Sequence, residues 1–305
     1  MITKASIFIN TKELSQAGFS LIELMISLAL GAAVSWVILD VSLTSIHNSR
    51  DIESTGEVVE KGRYASDLLR REIKHAGFYG RRVSANMTGT PAKGLCTNLP
   101  SANNLLLPIV GLNDSPNSSQ LCSGNNLLGD SDVLLIRRAS TISVAPTSLT
   151  SSQHYIQSNF EDSVIGLGVA ANFTLKEMDG TTLAPIRQLY QDVYYVDDDN
   201  NFKRRRLING SNTVEPLIEG VDDFQLEYGI DTNDDNIADV FDTFPATWSD
   251  LENVKSVSVF LLVSSDGANS TDTKIYNYGD KSGVSFGDKR KRRLFSSVVA
   301  VGNQY

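Results

Sequence analysis

An apolar run near the N-terminus constrains this chain more than any other feature. No charged residue occurs between Leu24 and Leu39, and the apolar stretch from Phe19 to Val41 is 23 residues long. A helix rising 1.5 Å per residue would cross the roughly 30 Å hydrocarbon core of a bilayer over that length. Glu23 lies at the start of the run, where a carboxylate entering lipid is costly without a partner. The run therefore predicts a membrane helix, and Glu23 needs an explanation.

A retained anchor explains the run better than a cleaved secretory signal. Secretory signals carry about 7–15 apolar residues followed by a small-x-small cleavage site, whereas this run is longer and has no such site after it. Lys4 and Lys12 precede the run, and Asp40 and neutral residues follow it. The positive-inside rule therefore places the chain from about Ser42 outside the cytoplasm. An ordinary single-pass anchor, with Glu23 at the headgroup level, is the alternative.

The heptapeptide "GFSLIEL" at Gly18 to Leu24 resembles the type III signal of type IV pilins and type II secretion pseudopilins. The resemblance implies that a prepilin peptidase cuts between Gly18 and Phe19 and that the new amine of Phe19 is methylated. It also implies that Glu23 meets the amine of a neighbouring subunit during assembly. A pairing within the same chain is also open at this spacing.

The residues after the run predict a helix followed by a β-rich domain. Gly77 is the predicted helix stop. The predicted apolar face of the helix consists of Ala65, Leu68, Leu69, Ile73 and Ala76. The predicted strands are "SDVLLIRRAS", "NFTLKEM", "QLYQDVYYV", "FKRRRLI", "EPLIEGVDDFQLEYGI", "VKSVSVFLLVSS" and "RRLFSSVVAVGN". This order indicates an α+β protein in which a long N-terminal helix packs on an antiparallel sheet domain.

A second resemblance covers Gly18 to Gly80 and about Tyr190 to Val301. The segments "KGRYASDLLRREIKHAGFYG", "YYV", "RRLI", "PLIEGVDDFQLEYGID" and "RRLFSSVVAV" resemble minor type IV pilins of the PilW type, in the same order. This similarity implies the pilin fold, and the middle of the chain, Arg81 to Gln188, matches no named pattern. The predicted organisation is a leader (1–18), a transmembrane and filament-core helix (19–41), an amphipathic half of the helix (42–76), a loop-rich insertion (77–130) and a β-rich domain (131–305).

Two cysteines, Cys96 and Cys122, lie in a segment rich in Asn, Ser, Gly and Pro. If this segment is exported, a disulfide closing a loop of about 25 residues would stabilise it by about 3–4 kcal/mol. Two free thiols or one half of a metal site are the alternatives.

The stretch "DTNDDNIADVFD" at Asp231 to Asp242 fits the twelve-residue calcium loop at most positions. Asn236 stands where such loops usually have glycine, and asparagine is the next best residue for a positive φ. The predicted calcium ligands are Asp231, Asn233, Asp235, the carbonyl of Ile237, Asp239 and Asp242. The alternative is a solvated acidic turn between two strands.

The formal net charge of −9 disfavours binding of nucleic acid through bulk positive charge. Two local basic runs, Lys203 to Arg206 and Lys289 to Arg293, could touch a DNA backbone, but charged residues also protect strand edges, and the second interpretation is favoured over DNA contact. The sequence has no HExxH, P-loop or G-x-G-x-x-G motif, and it predicts no enzyme.

The resemblance implies a minor pilin that primes or caps type IV pilus assembly near the pilus tip. The implied partners are other minor and major pilins, the prepilin peptidase and the inner-membrane assembly platform. The implied location is the inner membrane with the globular domain in the periplasm, and then the pilus at the cell surface. The alternatives are a J-type pseudopilin of type II secretion and a membrane-anchored adhesin or DNA receptor that acts through the unmatched middle.

Overall fold

The computed structural model describes residues 18–81, 105, 107–114, 127–208, 211–245, 248–267 and 274–302. These residues contain one long helix, α1 (Leu21–His75), and a β-rich body. The chain divides into two compact units, of which the first ends at Ile52 and the second begins at Glu53. Each unit is described separately below.

The first unit holds the apolar half of α1, and its side chains are exposed throughout. The large apolar side chains between Phe19 and Ile46 are 49–90% exposed. By length and composition, α1 is the one described helix that could cross a membrane. A helix that is apolar all round and has no protein around it is the type that lipid or other helices cover. The predicted long apolar helix is confirmed.

In the second unit, the amphipathic half of α1 packs on the β-rich body. The predicted apolar face is confirmed, since Ala65, Leu69 and Ile73 are at most 1% exposed. The helix ends at His75, and Gly77 follows with a φ of 75°, a conformation that glycine adopts at little cost. The Gly77 N–H then donates to the Arg137 carbonyl at 3.0 Å, which joins the end of the helix to the sheet.

The described strands and the short second helix follow α1 in chain order. They are β1 (Ile109–Leu112), β2 (Val133–Val144), β3 (His154–Ser158), β4 (Ser163–Leu167), β5 (Ile186–Val196), β6 (Asn201–Ile208), β7 (Ser211–Glu219), β8 (Val221–Ile230), β9 (Val240–Asp242), α2 (Trp248–Glu252), β10 (Val254–Ser264), β11 (Tyr276–Tyr278), β12 (Lys281–Val284) and β13 (Arg292–Ala300).

Within the described residues the strands form two main antiparallel sheets and one hairpin. The larger, seven-stranded sheet has the order β1-β2-β5-β3-β4, with β6 pairing the second half of β5 and β7 pairing β6. The four-stranded sheet has the order β13-β10-β8-β9, and β11 pairs with β12. The predicted α+β class, with a long helix and antiparallel sheets, is confirmed.

One hydrophobic core joins α1 to both main sheets. It contains Leu69 and Ile73 of α1, Tyr194 of β5, and Phe224 and Leu261 of the four-stranded sheet. Alternation along β8 puts Phe224, Leu226 and Tyr228 on the same face, and all three are buried. The amphipathic half of the helix is therefore part of the core of the second unit.

Asp132 connects the two sheets at the start of β2. Its N–H donates to the Phe224 carbonyl at 2.8 Å, and its Oδ2 accepts the Leu226 N–H at 2.8 Å. Its Oδ1 accepts the Asp114 N–H at 3.0 Å. Burial raises the pKa of Asp132 to about 7, against the lowering effect of these backbone N–H groups. The side chain thus satisfies backbone groups that lie between the sheets.

The strand predictions hold for β2, β5, β6, β10 and β13, and the segment "EPLIEGVDDFQLEYGI" is split in two. Gly220, with a φ of 77°, separates β7 from β8. The predicted strand "NFTLKEM" is wrong, because only an isolated bridge from Lys176 to Leu183 occurs there. The predicted insertion contributes β1, which pairs with β2 and belongs to the larger sheet.

Two glycines of α1 provide a matched test of how closely the helix packs. A Cβ at Gly62 would lie 2.1 Å from the ring of Phe295 in β13, whereas a Cβ at Gly56 would meet no atom within 4 Å. We expect Gly62→Leu to lower the free energy of unfolding by about 1–3 kcal/mol through overpacking. Gly56→Leu should raise it by up to about 1 kcal/mol through helix propensity.

Denaturant unfolding of the two purified variants measures this difference. Equal effects of the two substitutions would contradict the close contact between α1 and β13.

Candidate functional site

The N-terminal motif lies at the exposed start of α1. Phe19 is 90% exposed, and a Cβ at Gly18 would meet no atom within 4 Å. The bond between them is thus open to an external protein in this structure. Gly18 and Phe19 precede α1, which begins at Leu21, and Glu23 lies in its first turn. The three residues are therefore close in space because they are close in the chain.

Glu23 has a local role that the sequence reasoning missed. Its Oε2 accepts the Ser20 backbone N–H at 3.0 Å. Ser20 precedes the first helical residue, Leu21, so Glu23 occupies the third helical position. This contact is the glutamate half of a capping box, in which the side chain satisfies a backbone N–H at the helix start. The S-x-x-E spacing of Ser20 and Glu23 was the signal that could have found it.

The cap leaves Glu23 able to bind a second donor. An ionised carboxylate has about four lone-pair sites, and the Ser20 N–H takes one of them. The Glu23 carboxylate lies at the N-terminal end of α1, where the helix dipole favours negative charge. The geometry suits a carboxylate that both caps its own helix and accepts an ammonium group nearby.

The predicted calcium segment forms the loop and strand after β8, and Asp231 organises it. Asp231 is 1% exposed. Its Oδ1 accepts the N–H groups of Asn233 at 3.1 Å and Asp234 at 2.8 Å, and its Oδ2 accepts that of Asn236 at 2.8 Å. Although burial opposes it, these hydrogen bonds lower the pKa of Asp231. Asn236 has a φ of 65°, which agrees with its place at the sharp turn.

The other loop side chains bond mainly to the loop itself. Asn233 accepts the N–H of Asp235 at 3.0 Å through its Oδ1 and donates to Asp239 Oδ1 at 3.2 Å. Asp239 Oδ2 also accepts the N–H and hydroxyl of Thr232, both at 2.8 Å. Asp235 Oδ1 accepts the Ile237 N–H at 2.8 Å. The structure therefore ties Asp231, Asn233 and Asp239 together.

Asp242 and Ile237 stand apart from this network. Asp242 lies in β9 opposite Tyr228, and its Oδ1 accepts the Phe244 N–H at 3.0 Å. Ile237 is 67% exposed. In the described part of the chain, three carboxylates come within 4.8 Å of one another at Asp197, Asp198 and Asp199, in the turn between β5 and β6. Calcium binding by the loop stays a prediction.

The predicted pair Cys96 and Cys122 lies outside the described residues.

The first basic run, Lys203 to Arg206, lies in β6, and its charges have partners within the domain. Arg206 makes a bidentate pair with Asp192, with both N–O distances at 2.7 Å. Lys203 pairs with Asp197, and Arg204 pairs with Glu215. Such pairing favours a structural role for the run over a phosphate-binding one.

The second basic run, Lys289 to Arg293, leads into β13. Arg292 donates to Asp222 at 2.6 Å and to Asp288 at 2.5 and 2.6 Å. The two basic runs belong to different sheets.

Comparisons with known proteins identify two segments of the chain. Residues 193–303 match the family described as Type IV Pilus-assembly protein W, PilW, and residues 14–39 match the Prokaryotic N-terminal methylation motif. No curated protein matches the chain in sequence.

The fold is similar to that of a solved type IV-like pilin from Thermus thermophilus. That likeness has 12% sequence identity and a TM-score of 0.41, and it covers 81% of this chain and 98% of that chain.

The methylation motif coincides with the start of the exposed apolar helix. The PilW match coincides with the strands from the end of β5 to β13. The two matched segments support a PilW-type minor pilin, a structural protein of the type IV pilus class.

Proposed function

We propose that this protein is a minor pilin that enters the type IV pilus through α1 and primes or caps assembly near the pilus tip. The observation that carries the proposal is the bare apolar half of α1, which starts at the methylation motif and has no covering protein in the described chain. Such a surface is stable in lipid before assembly and against the helices of other subunits afterwards.

The proposed partners follow from two features of the N-terminal part of the chain. The exposed Gly18–Phe19 bond suits a prepilin peptidase, and the apolar half of α1 suits other minor and major pilins and the inner-membrane assembly platform. Before assembly, the protein would lie in the inner membrane with its β-rich body in the periplasm. After assembly, it would be part of the pilus at the cell surface.

The PilW match favours the pilus over the J-type pseudopilin of type II secretion. The adhesin or DNA-receptor alternative relied on the unmatched middle, Arg81 to Gln188. The described part of that segment supplies β1 to β4 and the start of β5 to the larger sheet, which is a structural use. We therefore do not propose a separate receptor function.

Processing is tested by Gly18→Trp. A bulky side chain beside the scissile bond should leave an uncleaved precursor, because the peptidase must accommodate the residue before Phe19. Immunoblotting of membrane fractions detects the larger precursor, and electron microscopy counts the pili. Normal processing with normal piliation would contradict the pilin assignment.

The role of Glu23 is tested by comparing Glu23→Ala with Glu23→Gln. Alanine removes both the helix cap and the charge, whereas glutamine can still accept the Ser20 N–H and removes only the charge. We expect both variants to be cleaved and both to impair assembly, since an ammonium partner requires the charge.

Pilus counts and cleavage assays measure both variants in the same strain background. If the glutamine variant assembled as well as the native protein, the cap alone would explain Glu23, and the docking role would be wrong.

We also propose calcium as a structural ion of the loop Asp231 to Asp242. The three N–H groups on Asp231 leave lone-pair capacity on its Oδ2, and the carboxylates of the loop repel one another without a cation. Calcium should raise the melting temperature of the protein, because a ligand that binds only the folded state stabilises it. A melt in millimolar calcium identical to that in chelator would overturn the proposal, and Asp231→Asn should abolish any shift.

A further inference from the structure

One edge of β13 has no neighbouring strand. In the order β13-β10-β8-β9, β13 is the last strand and pairs only with β10. In an antiparallel pair, alternate residues bond to the neighbouring strand and the residues between them point to the opposite edge. The Val301 N–H donates to the Lys255 carbonyl at 2.8 Å, and the Lys291 carbonyl accepts the Ser265 N–H at 2.9 Å. The odd-numbered residues of β13 therefore bond to β10.

The even-numbered residues of β13 direct their backbone groups to the open edge. In agreement, the Arg292 carbonyl accepts the hydroxyl of Tyr276, which is not part of β10, at 3.1 Å. For the even-numbered positions after Arg292, no backbone hydrogen bond at this edge occurs among the described residues. These positions are Leu294, Ser296, Val298 and Ala300. Val298 is 66% exposed, so the edge is open to a further strand.

The open edge of β13 lacks the protection that the other described edge strands of the two main sheets have. Sheets commonly protect their edges with short strands, charged residues or proline. The edge strands β1, β4 and β9 have 4, 5 and 3 residues, and β7 contains Glu215 and Pro216. In contrast, β13 has 9 residues, and Leu294 to Ala300 contains neither a charge nor a proline. Such an edge is a template for an added strand.

Exposed bases stand at the N-terminal end of this edge. Lys289 and Arg293 are exposed, and neither has a carboxylate partner in the part of the chain that the structure describes. The Arg293 guanidinium lies over the Phe295 ring at 5.7 Å, beside the strand. The other end, from Ser296 to Ala300, is uncharged. A strand that complements both ends is acidic at one end and uncharged at the other.

The direction of α1 argues against a second copy as the added strand. Lys291, just before β13, donates to Thr55 of α1, and Phe295 lies next to Gly62, further along the helix. Helix α1 and β13 therefore run in the same direction. An antiparallel pair of two β13 strands would point the two helices in opposite directions, which two copies anchored in one membrane cannot do. This exclusion rests on the membrane location proposed above, whereas the open edge does not.

We propose that the open edge of β13 binds an extended segment of a different protein, which adds a strand to the four-stranded sheet and places its acidic C-terminal end beside Arg293 and Lys289. Antiparallel addition continues the pattern of the sheet and brings the C-terminal end of the segment to the start of β13. The main-chain hydrogen bonds supply the affinity, and the acidic end sets the direction of the segment. The inference goes beyond the proposed function.

Peptide binding by the full chain in detergent micelles tests the proposal. The probe is a fluorescein-labelled peptide, Thr-Val-Thr-Val-Thr-Asp-Glu, with a free C-terminus, and the comparison peptide ends in Lys-Lys-amide instead of Asp-Glu. Fluorescence anisotropy at low salt should show binding of the acidic peptide with a Kd below about 1 mM. The basic peptide should bind at least about tenfold more weakly, because its charges repel Arg293 and Lys289.

Val298→Pro and Val298→Thr form a matched pair. Because the Val298 N–H points to the open edge, proline removes this donor without breaking a bond to β10, and edge strands tolerate such a proline. We expect Val298→Pro to bind the acidic peptide at least about tenfold more weakly than the native chain. Val298→Thr keeps the N–H and should bind like the native chain. Circular dichroism establishes that both variants are folded.

Arg293→Glu gives a second test that leaves the backbone of the edge intact. This variant should bind the acidic peptide more weakly and the basic peptide more tightly than the native chain does, since the sign of the charge beside the added strand is reversed. An unchanged order of the two peptides would overturn the predicted direction of the segment.

A native chain that does not bind the acidic peptide would overturn the proposal. Equal binding by folded Val298→Pro and Val298→Thr would overturn it as well, because the open edge would then not be the site. Sedimentation of the native chain without peptide tests the second copy. Self-association that Val298→Pro abolishes would assign the edge to a second copy and contradict the proposal. None of these measurements uses pilus formation, so their failure is distinct from a failure of the proposed function.

Discussion

Helix α1 is one continuous helix whose first part is exposed and apolar and whose second part is buried against the sheets. The core of the β-rich body depends on this second part. Its first part has exposed apolar side chains all round, which is stable only in lipid or against other helices. Its second part buries Ala65, Leu69 and Ile73 in the core of the β-rich body. One continuous helix, α1 (Leu21–His75), thus has an exposed apolar part and a part buried in the core of the second unit.

The amphipathic half of α1 is part of the core of the β-rich body. Leu69 and Ile73 join residues from both main sheets in one core, and Gly62 allows the Phe295 ring of β13 to approach the helix. At the end of α1, Glu72 accepts two hydrogen bonds from Arg138 of β2, at 2.7 and 3.2 Å. These contacts join the amphipathic half of α1 to both main sheets.

Much of the fold could be predicted because its signals are local. The i, i+3, i+4 spacing of Leu68, Leu69 and Ile73 marks the buried helix face, and alternation along β8 marks Phe224 and Leu226 as core residues. The features that escaped prediction depend on distant residues. Asp132 bonds to Leu226 across 94 positions of sequence, and β1 lies in a segment whose composition indicates loops. The different environments of two adjacent arginines in β2 also escaped prediction. Arg137 is fully buried and donates to the Leu107 carbonyl at 2.8 Å, whereas Arg138 pairs with Glu72.

The candidate site likewise combines residues that local sequence signals predict with contacts that depend on distant residues. Gly18, Phe19 and Glu23 are found from their spacing alone, and the capping role of Glu23 is local enough that S-x-x-E predicts it. The bond from Lys291 to Thr55 could not be found from the sequence, because the two residues are 236 positions apart. The central claim is that the chain is processed between Gly18 and Phe19. Mass spectrometry of the N-terminal peptide from the membrane-purified protein tests this claim most directly. The account predicts a peptide that begins at a methylated Phe19, and a peptide that begins at Met1 or after the apolar run would contradict it.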